Sequence, residues 1–171
     1  MNAAHAHLII NHFPIVGIIL ACLVLVLGVL LKSSITKRIG FMLFLIAGIT
    51  SVISFKTGEE AEDLYEDYVE KTTLAIDSPK TIEMTVANSE KVHHLIHEHE
   101  EKAEGFMPLA WGLIFLSIIG LILDFKKKSM ANAASLVVLI VGLLAVYFAW
   151  EVGNSGGEIA HPEIHIVDLD D

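Results

Sequence analysis

Residues 13–31 read FPIVGIILACLVLVLGVLL, an unbroken apolar run without one charged side chain. A helix needs about 20 such residues to cross roughly 30 Å of hydrocarbon. Three more runs have the same character: Ile39 to Phe55, Phe106 to Leu123 and Ala131 to Trp150. Lipid offers the backbone no hydrogen-bond partners, so each run must satisfy its own amides as a helix. Together they predict an all-α fold, an integral membrane four-helix bundle with a helical insertion on its outer side. Residues 1–56 carry transmembrane helices one and two, and 57–105 form an acidic, His-rich helical insertion. Residues 106–152 carry helices three and four, and 153–171 form a polar C-terminal tail.

Composition agrees. Of the 171 residues 54% are hydrophobic, and the mean hydropathy is +0.63, too apolar for a typical soluble domain of this length. The first run is expected to persist rather than leave as a signal peptide. No basic residue precedes it, it exceeds a signal core in length, and no small-residue cleavage site follows. The single cysteine, Cys22, excludes an internal disulfide and is expected to be a small buried apolar residue.

Charge sets an orientation. Lys32, Lys37 and Arg38 follow the first run, and Lys126, Lys127 and Lys128 follow the third. Six of the eleven basic residues thus lie at one end, which the positive-inside rule assigns to the cytoplasm. Both termini and the insertion then face outward, with all nine histidines and every acidic residue except Asp124. The net charge of −10 follows from this partition and implies no nucleic-acid partner.

The insertion has its own signals. Thr57 and Glu60 fit a capping box at the start of an acidic helix. Asp77-Ser78-Pro79 marks a second start, because proline is tolerated in the first turn. Gly105 and Pro108 predict a kink or break before the third run, and glycines make 153–157 flexible. Asp124 and Glu151 are expected near helix ends within reach of water. No internal repeat is evident.

Histidine is the chemistry-bearing residue. Glu90, His93, His97, Glu101 and Glu104 share one helical stripe, and the His93/His97 spacing suits a shared metal ion. A solvated Glu/His/Lys face explains the same pattern. His94 and Glu98 lie on an adjacent line, and His99 and Glu100 are expected in solvent. At the N-terminus His7 and His12 approach the first run, His12 at the water–lipid boundary, where ionisable groups usually have partners. His5 is expected in a frayed end. His161 follows the fourth run, with His165 farther out. Three separate parts of the chain thus bring imidazole to one end of one bundle, where facing helices commonly build metal and cofactor sites.

HLIINHFPI at 7–15 resembles the H-P-L-L-V-H-F-P-I opening of a widespread family of small bacterial membrane proteins. That family typically has four helices, a Thr-Gly or Ser-Gly pair after the second, a histidine near the third, and GGELV…H after the fourth. The matching residues are His7, His12, Phe13-Pro14-Ile15, Thr57-Gly58, and Gly156-Gly157-Glu158 with His161. Some members are fused to Rieske or cytochrome c domains, so the resemblance implies a link to electron transfer. The insertion is longer and richer in Glu and His than is usual there. The mid-chain histidine therefore has four candidates: His93, His94, His97 and His99.

Three functions compete. A b-type haem electron carrier would use bis-histidine ligation, with His7 or His12 facing His97, His93 or His161. Two haems are also conceivable, and the absence of C-x-x-C-H excludes covalent attachment. A non-haem zinc, iron or copper site would draw on Glu90, His93, His97, Glu158 and His161, with Glu59 and Glu62 completing the set. A non-catalytic subunit of a larger membrane complex, or a partner of a redox protein, is the third. An electron carrier or metal-binding subunit is favoured over a stand-alone enzyme.

Overall fold

A computed structural model of the chain describes residues 2–74, 79–126 and 128–160. Five helices account for them: α1 (Ala3–Ile10), α2 (His12–Leu30), α3 (Ser34–Leu74), α4 (Pro79–Lys126) and α5 (Lys128–Ala160). Helices α2 to α5 form a closed four-helix ring, in which α2 touches α3 and α5, and α4 touches both α3 and α5. Thus α2 lies diagonally opposite α4. The short α1 rests on α3 at the histidine-rich end.

Each of the four predicted runs lies within one long helix, and all four are long and apolar enough to cross a membrane. Only 28–39% of each apolar window is buried inside the bundle. Most of the apolar surface therefore faces outward, as expected where lipid is the solvent. Association then depends on close packing, and the interior is accordingly rich in small residues such as Ala21, Ala47, Ala110 and Ala145. The Phe41 and Phe44 rings fill the centre because Gly120 and Gly142 leave room for them; a Cβ at either glycine would lie 2.5–2.6 Å from a ring carbon.

The α2–α3 turn is short and specific. Lys32 adopts a left-handed conformation (φ 52°), and Ser33 donates its amide to the Gly28 carbonyl at 3.0 Å. This Schellman-type stop closes α2. The Ser33 hydroxyl then accepts the Thr36 amide at 3.2 Å and caps α3.

Four local expectations are corrected. Thr57 does not cap a new helix, because α3 runs continuously from Ser34 to Leu74; the Thr57 hydroxyl donates to the Ser54 carbonyl instead, at 2.9 Å. The amides beyond Thr57 already have intrahelical partners, so no cap is needed. Gly105 and Pro108 do not interrupt α4, and Pro108 lies on its exposed side. Residues 153–157 belong to α5, where Gly153 packs against Ile15 and Gly156 against His99. Asp124 is fully buried, not hydrated. It accepts Arg38 Nε at 2.7 Å and pairs with Lys37 Nζ at 3.3 Å. Lys37 also donates to Asn132 Oδ1 at 3.0 Å, so α3, α4 and α5 are tied together at the lysine-rich end. The expected helix start at Asp77-Ser78-Pro79 falls at the edge of the described residues, of which Pro79 is already helical in α4.

Candidate functional site

At the other end, the bundle opens into a cavity of about 480 Å³. Its walls include His7, Asn11, Pro14, Ser54, Glu59, Glu62, His99, Phe106 and Gly157, which bring in all five helices. Asn2 starts α1 by accepting the His5 amide with its side chain, at 3.0 Å. One helical turn later this brings His7 onto α3 at the cavity wall.

His7 and His99 face each other with ring centroids 6.3 Å apart and planes at 79°. His7 Nδ1 lies 3.0 Å from the Ser54 carbonyl and 3.3 Å from Thr57 Oγ1. A carbonyl only accepts, so Nδ1 carries the proton. His99 Nδ1 lies 2.9 Å from Ser155 Oγ, and that hydroxyl donates to the Val152 carbonyl at 3.0 Å. Its one proton being used, the hydroxyl accepts from His99. Each Nε2 is then left with its lone pair.

Glycine completes both contacts. A Cβ at Gly58 would lie 3.2 Å from His7 Cε1, and one at Gly156 would lie 3.1 Å from His99 Cε1. Each imidazole thus lies flush against a helix backbone, with the hydroxyl of the preceding residue beside it.

The two halves of the site are alike in register, although buried Phe41, Gly48 and Ser54 correspond to half-buried Leu139, Val146 and Val152. The shift that takes His7 to His99 also takes buried Pro14, Ile18, Ala21, Cys22, Leu25 and Gly28 onto Phe106, Ala110, Leu113, Ile114, Ser117 and Gly120, all buried. The shift that takes Gly58 to Gly156 takes Thr57 to Ser155, and buried Gly40, Phe44, Ala47 and Ser51 onto Val138, Gly142, Ala145 and Ala149, again all buried. Both pairs run in the same directions and lie diagonally, which relates them by an approximate two-fold axis along the bundle. The repeat resides in burial rather than in residue identity, which is why the bare sequence does not display it.

The other candidates fall elsewhere. His12 borders the cavity but is exposed. His97 is exposed, with its nitrogens 3.7 and 3.9 Å from Glu100 and Glu101 on its own helix. His93 reaches across to Glu66 at 3.2 Å, and with Glu62 these three bring ligand atoms within 4.8 Å of one another. Of the expected non-haem set, Glu62 and His93 are therefore brought together, with Glu66 in place of His97. Glu90 borders a separate groove beside His93, and Glu158 accepts from Asn154 at 3.1 Å. His161 and His165 lie outside the described residues.

His99, expected in solvent, is the residue that sequence spacing passes over. Its signal is indirect. It precedes buried Phe106 by the interval that separates His7 from buried Pro14, and Ser155-Gly156 repeats the Thr57-Gly58 pair. No family model matches the chain, and no curated protein or solved structure shows significant similarity to it.

Proposed function

We propose that this protein is a membrane electron carrier that holds b-type haem at His7 and His99, at the outer face of a bacterial cytoplasmic membrane. The facing imidazoles carry this reading. Their ring centroids lie 6.3 Å apart, so His7 and His99 are close enough to be the two residues that would hold one metal centre. Both Nδ1 atoms are committed to protein acceptors, the arrangement in which an imidazole ligates through Nε2.

The remaining walls fit such a group. The cavity volume is within the range of cofactor sites, and Pro14, Ile15, Phe55, Phe106 and Met107 give it apolar sides. Asn11 Oδ1 is shielded from solvent in the same wall and has no hydrogen-bond partner among the described residues. A haem held here by His7 and His99 would supply a reversible one-electron couple. The protein's part is to hold the imidazoles, exclude water with the apolar wall and keep the ligand set unchanged between redox states. The HFPI opening and the Thr-Gly pair, which resemble a redox-associated family, point the same way. The assignment pairs His7 with His99 and leaves His12 and His97 at the periphery.

The detergent-solubilised protein should show a Soret band that shifts on dithionite reduction. His7→Ala and His99→Ala should each abolish the six-coordinate low-spin spectrum, while His97→Ala keeps it. A colourless parent protein with haem supplied would overturn the proposal.

A second reading rests on Glu62, Glu66 and His93, a carboxylate-rich group suited to zinc or iron. Glu66 and His93 are exposed and His93 is already engaged by Glu66, so it ranks below the half-buried imidazole pair. Stoichiometric zinc or non-haem iron in the purified protein, lost on His93→Ala, would favour it.

A further inference from the structure

We infer that Thr57 and Ser155 are positioning residues of a duplicated half-site, each helping to hold its imidazole in the Nδ1–H form so that His7 and His99 share a single metal ion on the two-fold axis. The inference rests on the haem reading and adds to it the stoichiometry and the residues that tune the ion.

The geometry is repeated too closely to be incidental packing. In each half a hydroxyl donates to the carbonyl three residues earlier: Thr57 to Ser54 at 2.9 Å, Ser155 to Val152 at 3.0 Å. Each hydroxyl has then spent its only proton and faces the imidazole as an acceptor. In each half the next residue is the glycine against which the ring lies. An imidazole that only fills space needs its N–H satisfied but not a glycine to seat it, whereas a metal ligand needs a set ring orientation and a free Nε2 as well.

Centroids 6.3 Å apart bring both rings within ligating reach of one shared ion, and two ions held side by side between them would repel each other strongly. The two-haem alternative is therefore set aside for this cavity, and each half of the chain supplies one axial ligand. The cofactor would bridge the halves at this end of the bundle, as Asp124 with Lys37 and Arg38 bridges helices at the other.

The halves differ in one respect that makes the inference testable. His7 Nδ1 has a main-chain carbonyl as its nearest acceptor, which no side-chain substitution removes. His99 Nδ1 has the Ser155 hydroxyl as its closest partner, with the Val152 carbonyl as a second acceptor beside it. A hydrogen bond from Nδ1–H makes the imidazole a stronger donor to iron and lowers the reduction potential, so its loss should raise it.

The full-length protein in detergent, reconstituted with haemin, should bind one haem per chain. Ser155→Ala should raise the midpoint potential and weaken haem binding at least tenfold, in line with the loss of an outer-shell partner. Ser155→Thr should restore both values. Thr57→Val should shift the potential in the same direction by less, and Thr57→Ser should match the parent. Unchanged melting of the unliganded variants would separate positioning from folding. A parent potential and affinity in Ser155→Ala, or two haems per chain, would overturn the inference while leaving the haem reading intact. A parent that binds no haemin removes both.

Discussion

Asp124 shows how one side chain can decide the fate of its neighbours. Its carboxylate is fully buried between Lys37 Nζ and Arg38 Nε, and the Arg38 guanidinium also lies 3.7 Å above the centre of the Phe125 ring. Lys37 is almost as inaccessible, at 5% exposure. Removing the carboxylate would strand that ammonium in a low-dielectric interior, a loss worth about 3–5 kcal/mol where buried pairs are broken. Asp124→Ala should therefore lower the thermal midpoint sharply in detergent, by more than Lys71→Ala, whose partner Asp67 is exposed on the same helix. The double variant Asp124→Leu/Lys37→Met should recover much of the loss, because it leaves less charge uncompensated. A double variant no more stable than Asp124→Ala would show that the ion pair is not what holds this end together. Sequence pattern places Asp124 at the margin of an apolar run, but it cannot show that two cations from α3 close over it.

On the scale of the helix, glycine separates what the sequence reveals from what it hides. Gly105 and Gly156 both sit in helix interiors, where glycine costs roughly 1 kcal/mol relative to alanine. A Cβ at Gly105 meets nothing within 4 Å, whereas one at Gly156 would lie 3.1 Å from the His99 ring. Gly105→Ala should thus stabilise the protein slightly, whereas Gly156→Val should push His99 off α5 and, under the proposed function, abolish haem binding. Soret absorbance against thermal midpoint for the two variants would check the contrast; haem retained in Gly156→Val would contradict the assigned contact. The sequence marks both glycines as helix breakers, since propensity is a local quantity. What keeps α5 helical through Gly153 and Gly156 is contact with Ile15 and His99, from distant parts of the chain. The apolar runs are readable because lipid exposure needs no knowledge of partners. Helix ends in water are less so: the capping signal at Thr57 is genuine local chemistry, but α3 has already begun at Ser34.

For the molecule as a whole, burial and charge divide the bundle into two unlike ends. The pairing of His7 with His99 is not readable from spacing, because it depends on which helices lie diagonally; the dense Glu/His stripe, a stronger local pattern, lies mostly in solvent. Orientation, by contrast, is set before the bundle closes and can be argued from sequence. Lys32, Lys37, Arg38 and Lys126 to Lys128 flank the membrane-length runs closely enough to act during insertion, and acidic residues weigh little in that choice. That Lys37 and Arg38 later pair with Asp124 does not weaken the signal, since the pair forms only once α3 and α4 meet. An alkaline phosphatase fused after Asp171 should therefore be active, and one inserted at Ser33 inactive. Replacing Lys126, Lys127 and Lys128 with glutamate should mix the two orientations and give both fusions partial activity. Neutralising Glu59, Glu60, Glu62 and Asp63 should leave the original pattern in place. Active phosphatase at Ser33 in the otherwise native sequence would turn the molecule over and move the imidazole pair, with whatever it binds, to the cytoplasmic side.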